Sequence, residues 1–190
     1  NWPDTADNRA FIERYRKPPF DPLADFTFIA ITATTSTVLV VHPSVPVSSV
    51  AEFVAWAKSQ PEGVNYASAG AGSPHHLAGE LFRERTGLKL THVPYRGAAP
   101  AVQDLMGGQV PFALMDSASV QQHLASGRLR ALGVASAERL ATFPDIPTLA
   151  EQGLSNFEAY AWQGLVVPIG TPAPVIAAAH GYVLGLSVGI

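Results

Sequence analysis

The chain has 190 residues, 47% of them hydrophobic and 14% charged, so it can build a packed core and carries too little charge to persist unpacked. Its formal net charge of -3 offers no basic field for a phosphate backbone, which sets nucleic acid aside as a partner. With 0 Cys there are no disulfides, thiolate nucleophiles or Cys-bound zinc, and any metal site would rest on the 6 His and the carboxylates.

Residues 1–36 are rich in Pro, Asp and Thr and hold one apolar stretch, F-T-F-I-A-I. The chain starts at Asn1 with neither the basic start nor the apolar run of a signal peptide, so it reads as a processed or partial chain. From residue 37 one pattern repeats: a β-type apolar run, then an amphipathic helix. The first run is T-V-L-V-V-H at 37–42. Val50, Phe53, Val54 and Ala57 then form one helical stripe, ended by Pro61 and Gly63. V-N-Y-A-S at 64–68 is the second run. A helix is predicted over 74–86, with Ser73 as N-cap, Pro74 in the first turn, and Arg83 and Arg85 before Gly87. L-K-L-T-H-V at 88–93 precedes a helix over 98–106 that carries Val102, Leu105 and Met106. V-P-F-A-L-M at 110–115 precedes a helix over 117–126 that carries Val120 and Leu124 and stops at Gly127. L-R-A-L-G-V-A at 129–135 is the last run.

Strand alternating with helix over short links predicts an α/β fold, a mostly parallel sheet flanked by helices. Residues 142–174 hold Pro144, Pro147, Pro168, Pro172 and Pro174, and neither flank can close a second sheet alone. Paired with each other they would bracket the α/β unit, as the chain does in a two-lobed, hinged protein. No Asp, Glu, Lys or Arg follows Glu158. Even so, the apolar stretch 175–190 is interrupted by Gly181, Gly185 and Gly189 and falls short of the roughly 20 residues of a membrane span. A buried or poorly fitting tail is expected there.

Chemistry concentrates at residues 65–81, N-Y-A-S-A-G-A-G-S-P-H-H-L-A-G-E-L. Small residues with Gly70 and Gly72 link a strand to a helix N-terminus, where backbone N–H groups lack helical partners and the dipole is positive. That end suits a carboxylate, phosphate or sulfate, beyond the carboxyl edge of a parallel sheet where ligands collect. A tight turn without a ligand fits the same residues. There is neither a G-x-G-x-x-G nor a P-loop lysine. His75 and His76 point about 100° apart on a helix and do not share a metal readily; either could hydrogen-bond a carboxylate or simply pack. Tyr95 and Arg96, after the strand in T-H-V-P-Y-R, could face the same crevice, with Arg96 as a plain surface charge the alternative. Asp116 could cap the following helix or accept a ligand amine. A hydrolase using Ser73 with His75 or His76 is the competing enzyme reading, against the missing G-x-S-x-G elbow. An interaction module that pairs with another copy is a third.

The motifs Y-A-S-A-G-A-G-S-P-H-H-L-A-G-E-L-F, H-V-P-Y-R-G-A-A-P-A-V-Q-D-L-M-G-G-Q-V, G-R-L-R-A-L-G-V-A-S-A-E-R and F-P-D-I-P-T-L-A-E-Q-G occur in this order. With them the chain resembles the Bug family, the TctC-type periplasmic substrate-binding proteins of tripartite tricarboxylate transporters. The resemblance implies a Venus-flytrap receptor that captures small carboxylates, acidic amino acids or their amides and hands them to membrane permease subunits. It implies no catalysis, no cofactor and no membrane span of its own. It implies a ligand loop at Ser68, Ala69, Gly70, Ala71, Gly72 and Ser73, with the family's helix His at His76 and its recurrent acidic position at Asp116; His75 at the helix start and Tyr95 at the strand end complete the expected ligand-binding set from their places in the sequence. His75 stands where a small polar residue is common in the family, and Ala71 where Asn is common. Residues 37–154 are then expected to be the whole second lobe, 1–36 a remnant of lobe one with the crossover, and 155–190 a return segment with an atypical tail. Missing first-lobe motifs and the uncharged tail give the expectation of a truncated member.

Overall fold

A computed structural model of the chain describes residue 21 and residues 24–187. Expectations for residues 1–20 and 188–190 lie outside that range. In chain order the elements are β1 (Phe26–Val41), α1 (Val50–Lys58), β2 (Val64–Ser68), α2 (Pro74–Thr86), β3 (Leu90–Pro94), α3 (Ala98–Met106), β4 (Phe112–Asp116), α4 (Ser117–Ala125), β5 (Arg130–Val134), β6 (Tyr160–Pro168) and α5 (Ala173–Ser187).

The described residues form two compact units, one of them Thr35–Ala161. In it the strand order is β3-β2-β4-β1-β5, with β2 parallel to both β3 and β4. The α/β sheet flanked by helices is therefore present, but β1 runs antiparallel to β4 and to β5, with Leu39 opposite Leu114 and Val38 opposite Val134. Side-chain alternation is the same for either strand direction, so periodicity alone could not reveal the reversal.

Both sheet faces are buried. Leu39, Val41, Phe112 and Leu114 pack with Phe53 of α1 and Phe82 of α2, whereas Val38, Val40, Ala113 and Met115 pack with Leu105 of α3 and Val120 of α4. Adjacent residues over 38–41 of β1 and 112–115 of β4 thus serve opposite cores, and this is why those stretches are apolar throughout rather than alternating. Phe53 centres the first core, its ring 4.7 Å from Phe112 and 5.9 Å from Phe82. Gln152 ties the segment after β5 to this layer: its Oε1 accepts the Val50 N–H at 3.0 Å, and its Nε2 donates to the Leu132 carbonyl.

The second unit draws on residues up to Thr34 and from Trp162 onward. The two flanks meet in it: β6 pairs with β1, Thr32 Oγ1 donates to the Gln163 carbonyl at 3.2 Å, and the Ile169 N–H donates to the Asp25 carbonyl at 2.8 Å. The described part of the tail is a helix, α5, whose side chains over 173–183 are mostly exposed, Val175 at 52% and Tyr182 at 77%. Among the described residues no helix is long and apolar enough to cross a membrane.

Candidate anion-binding loop

Strands β2, β3 and β4 are mutually parallel, so their carboxyl ends, at Ser68, Pro94 and Asp116, share one edge of the sheet. Four sequence-predicted groups collect on this edge: the glycine loop 68–73, the start of α2, Tyr95 and Asp116. Ser73 caps α2 as expected, its Oγ accepting the His76 N–H at 3.3 Å, and Pro74 sits in the first turn without needing a donor.

Much of the loop is held by its own hydrogen bonds. The Gly70 N–H donates to Ser68 Oγ at 3.1 Å, the Gly72 N–H to His76 Nδ1 at 2.9 Å, and the Ser73 N–H to the Gly70 carbonyl at 3.1 Å. The Leu77 N–H goes to the Ser73 carbonyl at 3.0 Å. Fewer N–H groups are therefore open to an anion than a bare helix start would offer. Those of Ala69, Ala71 and His75 have no hydrogen bond among the described residues. Gly70 has φ 130, and a Cβ there would also lie 3.3 Å from the Tyr95 carbonyl oxygen, so both conformation and space call for glycine.

The two adjacent histidines point to different partners. His75 Nε2 lies 3.2 Å from Asp116 Oδ2 and 3.2 Å from the Asp116 N–H. The ring is 8% exposed, and its Nδ1 is buried with no hydrogen-bond partner among the described residues. His76 uses Nδ1 as an acceptor for Gly72, so in the neutral ring the proton belongs on Nε2. Its face stacks on His92 of β3, with centroids 3.9 Å apart and planes at 14°. No cluster of three or more His, Asp or Glu able to hold a metal occurs among the described residues.

Asp116 caps α4, Oδ1 accepting the Ser119 N–H at 2.9 Å, and the Ser119 hydroxyl lies 2.8 Å from each of its oxygens. Hydrogen bonds from His75 and then from Ser119 outweigh burial and hold its carboxyl down to about 2. Tyr95 donates its hydroxyl to Asp104 Oδ2 at 2.8 Å, making a strut from the end of β3 to α3. Burial, followed by the Asp104 carboxylate, pushes the phenol up to about 12. Arg96 is exposed.

Ser73 bonds to backbone, not to an imidazole. At this edge of the sheet a hydroxyl–imidazole pair is formed by Ser68 Oγ and His92 Nε2, 2.6 Å apart. Ser68 is 0% exposed, so no substrate reaches it as a nucleophile. His92 lies within the motif H-V-P-Y-R-G-A-A-P, and nothing local in the sequence assigns it to the site. Its proximity to Ser68 and His76 comes from the parallel register that sets Tyr66 beside His92 and Ser68 beside Pro94.

Residues 7–182 match the family described as the tripartite tricarboxylate transporter family receptor. Among curated proteins, the UPF0065 protein of the tcbD–tcbE intergenic region of Pseudomonas sp. (strain P51) is 38% identical over 163 residues, which is 85% of this chain and 48% of that protein. The chain thus spans about half the length of the curated relatives it matches. Among solved structures, R. palustris Rpa4515 with adipate superposes with a TM-score of 0.85 at 34% identity, covering 89% of this chain and 56% of that one. MatC from Rhodopseudomonas palustris with bound malate gives 0.81 at 32% identity, covering 92% and 60%.

Proposed function

The chain belongs to the tripartite tricarboxylate transporter receptor family, and on that premise we propose that loop 68–73 and the first turn of α2 bind a carboxylate group of a small di- or tricarboxylate, acidic amino acid or amide. Membership places the chain among receptors rather than enzymes and supports a periplasmic location. Delivery to the membrane permease subunits of such a transporter, and lobes divided as 37–154 against 1–36 with 155–190, belong to the same proposal.

The observation that carries the reading is the set of N–H groups at Ala69, Ala71 and His75, which have no hydrogen bond among the described residues and lie at a helix N-terminus on the carboxyl edge of the sheet. A carboxylate placed there gains charge-assisted hydrogen bonds and the helix dipole together. Gly70 and Gly72 keep side chains out of its way. Ser68, Ser73 and His76 hold the loop, while Asp116 and Tyr95 secure the neighbouring strand ends. The adipate and malate carried by the two solved relatives support carboxylates as the ligand class.

Isothermal titration of the chain with adipate, malate and a tricarboxylate tests the proposal. Saturable binding to at least one of them, weakened by Gly70→Val, is the expected result. Failure of all three to bind at millimolar concentration contradicts it.

A further inference from the structure

We infer that His92 is a positioning residue for loop 68–73, holding through one imidazole the two side chains that pin the loop's glycine amides. The inference rests on the carboxylate-receptor reading for its consequence in binding, but not for the geometry. Two side chains bracket the loop. Ser68 Oγ accepts the Gly70 N–H at its start, and His76 Nδ1 accepts the Gly72 N–H at its end. Both converge on His92, whose Nε2 lies 2.6 Å from Ser68 Oγ and whose ring stacks on that of His76 at 3.9 Å and 14°.

His92 is anchored in turn. Its ring stacks on Tyr66 at 5.1 Å and 29°, and the Tyr66 hydroxyl donates to Glu80 Oε1 at 2.8 Å. Glu80 is buried and paired with Arg83, whose Nη2 lies 2.6 Å from Glu80 Oε2. A continuous set of contacts therefore runs from the middle of α2, through β2 and β3, to both ends of the loop. A loop that binds an anion through backbone N–H groups loses affinity when those groups must be ordered at the moment of binding. Fixing Gly70 and Gly72 beforehand orients Ala69 and Ala71, which alternate with them along the chain.

A packing role and a positioning role predict different behaviour. Phe at position 92 preserves an aromatic ring on His76 and Tyr66 but cannot bond to Ser68. Gln reaches Ser68 with a polar atom but cannot stack. Amide hydrogen exchange on the ligand-free chain reads the loop itself, and titration with adipate and malate reads the consequence. For His92→Phe we expect exchange at Gly70 to accelerate about tenfold and affinity to fall about tenfold, with Tm close to wild type. His92→Gln should restore protection at Gly70 while loosening Gly72. If His92→Phe does not fold, exchange at Gly72 in His92→Gln decides the matter. Wild-type exchange at Gly70 in the Phe variant, or at Gly72 in the Gln variant, overturns the inference. A wild-type chain that binds none of adipate, malate and a tricarboxylate defeats the receptor reading instead and leaves the positioning of the loop to be judged by exchange.

Discussion

Asp116 joins neighbouring elements through one side chain, which caps α4 and meets His75 of α2. Its carboxyl sits at about 2 against an ordinary value of 3.8, so the folded state binds its proton more weakly than the unfolded state does. The resulting stabilisation is complete above about pH 4 and is lost as pH falls through about 2. Urea unfolding between those limits should show stability declining in the wild type and a flatter profile in Asp116→Asn; identical slopes would mean the carboxylate is not held in this way. A second residue-scale prediction concerns Gly79. Replacing a mid-helix glycine with alanine ordinarily stabilises by about 1 kcal/mol. Here the new Cβ would overlap Cε2 of Tyr66, a fully buried ring that cannot move without releasing Glu80 and His92. Gly79→Ala should therefore destabilise by about 1–3 kcal/mol, and a raised Tm would contradict the packing described.

At the scale of elements, helix α2 matches the 74–86 span expected from the sequence because its ends are chemically marked, by Ser73 and Pro74 at one and by Gly87 at the other. Gly87 takes the left-handed conformation with φ 65, and Arg83 and Arg85 occupy the last turn. Ser73→Ala removes the cap and should cost about 1 kcal/mol in urea unfolding, with faster amide exchange at His76. Unchanged stability and exchange would show that Pro74 alone sets the start. β1 was less legible. Only its latter part, 38–41 within the 37–42 run, is unbroken in apolar residues, because residues from Phe26 to Thr34 belong to the second unit, where the burial pattern is mixed. β6 was hidden among prolines for a related reason: its residues are mostly exposed, so no burial period marks them. The candidate site was legible as loop and helix start, since capping and glycine chemistry are local. The part played by His92 was not, because it depends on which residue of β3 the parallel register sets beside β2.

On the scale of the whole molecule, low charge has two structural origins. In the first unit it reflects a sheet buried on both faces. In the second it accompanies exposed apolar side chains, with Trp162 at 66%, Ile169 at 64% and Phe28 at 56%. Composition cannot separate these, since burial is decided by the fold and not by residue type. The proposed function turns on a carboxylate being received by backbone N–H groups of loop 68–73. The most direct test is a ¹H–¹⁵N NMR titration of the chain with adipate, malate and a tricarboxylate. Saturable shifts that are largest at the amides of Ala69, Ala71 and His75 are expected. Saturable shifts that leave those three unmoved and fall instead on the groove lined by Val102, Gln103 and Ser119 would contradict it, as would no shift at millimolar ligand.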